Sequence, residues 1–133
     1  MDIPLTIAGS IAIIAAAIHG LAGEILVVRR LSPETLPSSR FGRPAMTKAM
    51  IHVSWHIATI AFLAIGLVLL LSGTALEGET PRAILLVAAG AATGFAAVAV
   101  GLGGAYRQFR SLISHPGPAV LTTIAALAWW GAV

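Results

Sequence analysis

The fold class that the sequence predicts is all-α: an integral membrane four-helix bundle. Its N- and C-termini are placed outside, on the periplasmic side, and its first and third connections in the cytoplasm. Three observations predict it. Hydrophobic residues make up 58% of the chain and charged residues 10%, with a mean hydropathy of +0.95; a soluble domain carries about 25% charged residues. Four apolar runs recur, at about 4–28, 48–72, 82–103 and 117–132, and a helix needs about 20 apolar residues to cross the hydrocarbon core. Basic residues, finally, crowd at the ends of those runs. One transmembrane domain over residues 1–133 holds all four.

The first run opens on Met1-Asp2-Ile3-Pro4, without Lys or Arg, and stays apolar to Val28. That is too long for the core of a signal peptide, so helix one reads as retained despite Ala15-Ala16-Ala17. The connection "RRLSPETLPSSRFGRPAMTK" carries three prolines and reads as an irregular surface segment. Helix two follows, then "SGTALEGET" before Pro81, a first-turn proline for helix three. The third connection, "GGAYRQFRSLISHPGP", offers Ser114 as a cap for helix four and Pro116 near its first turn. Helix four is short, but Trp129 and Trp130 stand at its end, where indole rings favour the headgroup level, as does Tyr106 on the third connection.

Orientation follows from charge. Arg29, Arg30, Arg40, Arg43 and Lys48 lie on the first connection, Arg107 and Arg110 on the third, and Arg82 alone on the second. The positive-inside rule therefore sets the first and third connections in the cytoplasm. The same distribution explains the net charge of +3 without nucleic acid as a partner. No cysteine is present, which removes thiolate metal sites and iron–sulfur clusters. Helix three is rich in Gly and Ala, with Gly90 and Gly94 in a GxxxG pattern. Small residues of this kind let helices approach closely in lipid. Its expected uses are packing inside the bundle, a homo-oligomer or larger-complex interface, or room for a flat cofactor. Beyond these partners, only the lipid bilayer is implied.

The ionisable residues can be placed by depth. His19 and Glu24 precede Arg29 by ten and five residues, roughly 15 and 7 Å at about 1.5 Å per residue. His52 and His56 follow Lys48 by about 6 and 12 Å, and His115 begins helix four at the same edge. Four imidazoles and one carboxylate thus share one half of the membrane, and intramembrane ionisable groups pair or serve function. Nitrogen donors with one carboxylate suit Zn, Fe, Cu or Ni better than Mg or Ca. On a regular helix His19 and Glu24 diverge by about 140°, so both reach one site only if it lies beside the helix. The plainer readings are Glu24 paired with Arg29, Arg43 or Lys48, His52 facing headgroups, His115 capping helix four, and His19 and His56 bonded to nearby carbonyls.

The motifs "HGLAGE" (19–24), "WH" (55–56) and "HPG" (115–117) on four apolar helices resemble an uncharacterised family of small bacterial inner-membrane proteins, marked by HxxxGE, WH and HPG. The resemblance implies a multi-pass protein of the bacterial inner membrane and supports particular positions, not a reaction. It selects His19, Glu24, His56 and His115 as the metal set and leaves His52 outside. A bundle that binds a transition metal, or haem b with His19 and His56 as axial ligands and Arg29, Arg43 or Arg110 at the propionates, is the expected function. A small transporter, or an accessory subunit of a larger membrane complex with a merely structural polar cluster, is the alternative.

Overall fold

The computed structural model describes residues 1–38, 40, 42–75, 79–105 and 115–132. These are helical, with no strand among them. Helix α1 (Ile3–Ala17) passes through a π-helical turn (Ile18–Ala22) into the short α2 (Gly23–Leu26) and a 3₁₀ turn (Val28–Arg30). Ile3–Arg30 is therefore one apolar stretch of 28 residues. After a second 3₁₀ turn (Pro33–Thr35) come α3 (Pro44–Thr74), α4 (Glu79–Ala105) and α5 (Gly117–Ala132). Three stretches, Ile3–Arg30, Pro44–Thr74 and Arg82–Gly101, are long and apolar enough to cross a membrane, while α5 is shorter.

Helix α3 starts before its apolar run because Pro44 sits at its first position, where a missing N–H costs nothing. The Arg43 carbonyl accepts from Met46 N at 2.8 Å and Thr47 N at 3.3 Å, closing the first turn. Tyr106, Arg107, Arg110 and Ser114, to which the sequence assigns an anchor, charges and a cap, lie outside the described residues.

The chain divides into two compact units, 1–13 with 64–133, and 14–63. In the first, Asp2 caps α1: its Oδ1 accepts from Leu5 N at 3.0 Å, and its own N–H donates to Gly73 O at 2.8 Å. An aspartate there satisfies an otherwise orphaned first-turn donor and favours the positive helix end. The start of α1 then crosses the end of α3 at glycines. A Cβ on Gly66 would stand 2.9 Å from Ile13 Cγ1 and 3.0 Å from its backbone N, and one on Gly73 2.8 Å from Thr6 N. A Cβ on Gly9 would collide with the backbone of Leu70. Leu5, Ala8, Ala12 and Leu69 continue into one core with Leu85, Ala88, Ala89 and Ala92 of α4 and Ile124, Ala125 and Ala128 of α5. The Trp129 indole donates to Thr93 Oγ1 at 2.9 Å, tying α5 to α4.

Ten of the fifteen buried apolar residues among those described are alanines, and no polar side chain is buried. Large aliphatics point outward instead, including Ile14, Ile57, Ile60 and Val87. Water would penalise that distribution, because burial of large side chains is its main drive. Hydrocarbon favours it, since close backbone approach supplies dispersion contact that lipid cannot better.

The close packing expected of Gly90 and Gly94 inside the bundle falls elsewhere. Both are exposed, and a Cβ on either would meet nothing within 4 Å among the described residues. The alanine edge of α4 turns to the core, so its glycine edge, part of a turn away, faces out. Gly66→Leu is therefore expected to cost about 1–3 kcal/mol through overpacking. Gly94→Leu in the isolated chain is expected to stay within about 0.5 kcal/mol of wild type. Unfolding of both variants in a titration of SDS against mild detergent checks the contrast.

Candidate metal centre

The second unit, 14–63, is built around an irregularity in an otherwise regular helix. At its π turn, Gly23 N–H donates to Ile18 O, five residues back, and to Gly20 O. The α-helical partner of that N–H would be His19 O. That carbonyl instead accepts the Trp55 indole N–H at 2.9 Å, so the departure from α geometry does not orphan it. Two glycines admit the contact. A Cβ on Gly23 would lie 3.0 Å from Trp55 Nε1, and one on Gly20 would lie 2.8 Å from Thr59 Cγ2. "HGLAGE" and "WH" are therefore two sides of one joint between the end of the first span and α3.

The π turn also changes which residues share a face. On a regular helix His19 and Glu24 stand about 140° apart. Through a turn that bonds residue i to i+5, residues five apart stand one turn apart, as residues four apart do on an α-helix. Both side chains now meet α3, in two layers.

In the first layer, the His19 ring stacks on Trp55, with centroids 4.3 Å apart and planes 8° from parallel, and meets Phe62 edge-on at 5.3 Å. Its Nδ1 lies 2.9 Å from Thr59 Oγ1, whose hydroxyl donates to Trp55 O at 3.1 Å. A hydroxyl has one hydrogen, and with it given to Trp55 O the Thr59 oxygen is left to accept from Nδ1.

The second layer holds Glu24, one turn further on. Its Oε1 accepts from Arg29 Nε at 3.1 Å. Its Oε2 lies 3.1 Å from His52 Nε2 and 3.4 Å from His56 Nε2. His52 and His56 are four apart on α3, their rings 5.0 Å apart and tilted by 45°, as one-turn spacing requires. Despite these distances Oε2 is buried and makes no hydrogen bond to either ring. One ligand atom from each of the three residues falls within 4.8 Å of the others. The carboxylate is mostly enclosed, 15% exposed, while the imidazoles are 44% and 43% exposed, so the group is open on the histidine side.

Of the four residues selected from the sequence, Glu24 and His56 come together here. His19 sits in the neighbouring layer with Trp55 and Thr59. His115 belongs to the other unit, where its Nδ1 accepts from Gly117 N at 3.1 Å and caps α5. His52, which the family pattern omits, completes the group. Its signal was the four-residue spacing to His56 on one helical face. Comparison with family models, with curated proteins and with solved structures found no match to this chain.

Proposed function

We propose that this is a membrane protein that binds one transition-metal ion between Glu24, His52 and His56. The observation that carries the reading is the orphaned Glu24 Oε2, buried at 3.1 and 3.4 Å from two imidazole nitrogens without a hydrogen bond. Ligands about 2.1 Å from a tetrahedral ion lie about 3.4 Å from one another; the two carboxylate–imidazole separations are close to that, and all three ligand atoms lie within 4.8 Å. Lone pairs converging on one point give that pattern, whereas a hydrogen-bonded cluster would aim an N–H at the oxygen. Two imidazoles and a carboxylate suit Zn, Fe, Cu or Ni, and leave out the all-oxygen ions Mg and Ca. A bare ion fits better than haem b, because both histidine Nε2 atoms lean on one carboxylate oxygen and His19 is committed to Trp55 and Thr59. Three protein ligands and an open side are the pattern of a site that exchanges its fourth ligand, not of a closed structural one.

Arg29 favours a second reading. Its guanidinium already neutralises Glu24 through Oε1, and a paired carboxylate with two imidazoles is stable without a metal. The two readings part on one variant. Under metal binding, Arg29→Gln still takes up metal at Glu24, His52 and His56, the charge lost from beside the ion working against the loss of the contact that orients Glu24. Under the structural reading it only destabilises the fold.

The test is a Zn(II) titration of purified protein against a chromophoric chelator. His52→Ala, His56→Ala and Glu24→Gln are each expected to weaken binding by more than about 100-fold, since even residues that only orient a ligand are worth about 10- to 100-fold. His19→Phe, which keeps a ring against Trp55, is expected to leave affinity unchanged. Wild-type protein that takes up no metal, with Arg29→Gln merely less stable, hands the cluster to the structural reading.

The same proposal places the chain in a bacterial inner membrane with its first connection cytoplasmic. The support is the five basic residues at Arg29, Arg30, Arg40, Arg43 and Lys48 against Arg82 alone on the second connection. Reporters inserted at 34–38 and at 76–78 are expected to read cytoplasmic and periplasmic respectively. The reverse result overturns the orientation.

A further inference from the structure

Beside the group of Glu24, His52 and His56, an open groove of about 500 Å³ lies along α3 in the second unit. Thr47, Met50, Ile51, Ser54 and Ala58 of α3 line it with His19 and Trp55, and at its shallow end the Thr47 hydroxyl donates to Pro37 O at 2.9 Å. Of these, Thr47, Ile51, Ser54 and Ala58 recur at four-, three- and four-residue steps, so they make one stripe along the helix, the floor of the groove. The stripe rises about 16 Å from Thr47 to Ala58 at about 1.5 Å per residue. That is half of a hydrocarbon core of about 30 Å, the depth of one leaflet.

The shallow end of this stripe is positively charged. Arg43 stands four residues before Thr47, in register with the floor, and its carbonyl bonds to Thr47 N at 3.3 Å. It is exposed, as are Arg30 and Arg40. Among the described residues none of the three has a carboxylate partner, whereas Arg29 is held by Glu24. The N-terminal end of α3 adds the positive end of its dipole at the same place, its Met46 and Thr47 amides being bonded to Arg43 O. A groove one leaflet deep, apolar along its length and cationic at its mouth, is complementary to one amphiphile.

We propose that this groove holds one acyl chain of an anionic phospholipid, with the lipid phosphate at Arg43 and the α3 N-terminus. The occupant comes from the bilayer and not from solution, because the apolar floor is useless to a free anion. A basic residue near an anionic surface contributes about fivefold in affinity, which sets the size of the preference. The groove does not use Glu24, His52 or His56, so the proposal stands or falls apart from metal binding.

The test is native mass spectrometry of the detergent-purified protein, with phosphatidylglycerol or phosphatidylcholine of identical chains, and thermal unfolding in parallel. Wild type is expected to retain phosphatidylglycerol about fivefold better and to unfold at a higher temperature with it. Arg43→Gln should bind the two lipids equally. Ala58→Trp, which fills the floor, should lose both. Because Ala58→Trp is at risk of misfolding, the milder Ser54→Leu is measured beside it, and a helical circular-dichroism spectrum is required of each variant. Equal retention of the two lipids by wild type overturns the proposal. So does a preference that survives Arg43→Gln, stabilisation by sn-glycerol 3-phosphate as large as by the lipid, or a groove variant whose effect is loss of a dimer with lipid retention intact.

Discussion

A backbone carbonyl released from its helical partner must find another donor, most strictly where water is absent, and that constraint governs the 14–63 unit. The π turn at Ile18–Ala22 diverts the Gly23 N–H away from His19 O, and the indole of Trp55 takes the released acceptor at 2.9 Å. Without a donor on α3 the turn would relax towards a regular helix. With it, the helix after residue 22 is rotated, and Glu24 swings toward the α3 face that His19 already meets. The two layers, His19 on Trp55 and Thr59, Glu24 on His52 and His56, follow from that one rotation. π turns are often found at functional sites. Here the reason is local: the extra residue converts a pair that points apart into a pair that points one way.

Packing in the other unit obeys a different economy. Gly9, Gly66 and Gly73 let the ends of α1 and α3 touch backbone to backbone, and alanines line the contact between α4 and α5. Leucine or isoleucine at those places would hold the helices apart and gain nothing in a solvent as apolar as themselves. The large side chains go outward for the same reason, which is why a chain with 58% hydrophobic residues buries mostly alanine. Most polar groups that remain partly inside are matched within their own helix, as Thr93 is to Ala89 O at 2.9 Å, or across helices, as Trp55 is to His19 O; Ser72 Oγ and Glu24 Oε2 are buried without a hydrogen bond.

Hydropathy made the helices legible, because span length and charge placement are properties of composition. The joint was half legible. His19, Gly23, Glu24, Trp55 and His56 stand out as motif residues, but a period of 3.6 cannot announce a π turn, so the face that Glu24 takes is not legible in the sequence. His52 is visible in its four-residue spacing to His56, although the motifs that carry the resemblance leave it out. Gly90 and Gly94 advertised a close contact that falls at Gly66 and Gly73 instead, seven apart within a run of leucines. The sequence pattern gives the face on which small residues gather, but the partner chosen by that face depends on tertiary geometry.

The central claim is that Glu24, His52 and His56 surround one ion. X-ray absorption at the metal edge of protein loaded with one equivalent of Zn(II) tests it most directly. The account predicts two imidazole nitrogens and one carboxylate oxygen at about 2.0–2.2 Å, with imidazole outer-shell scattering halved in His52→Ala. A first shell of oxygen alone, or a spectrum that His52→Ala leaves unchanged, would contradict it.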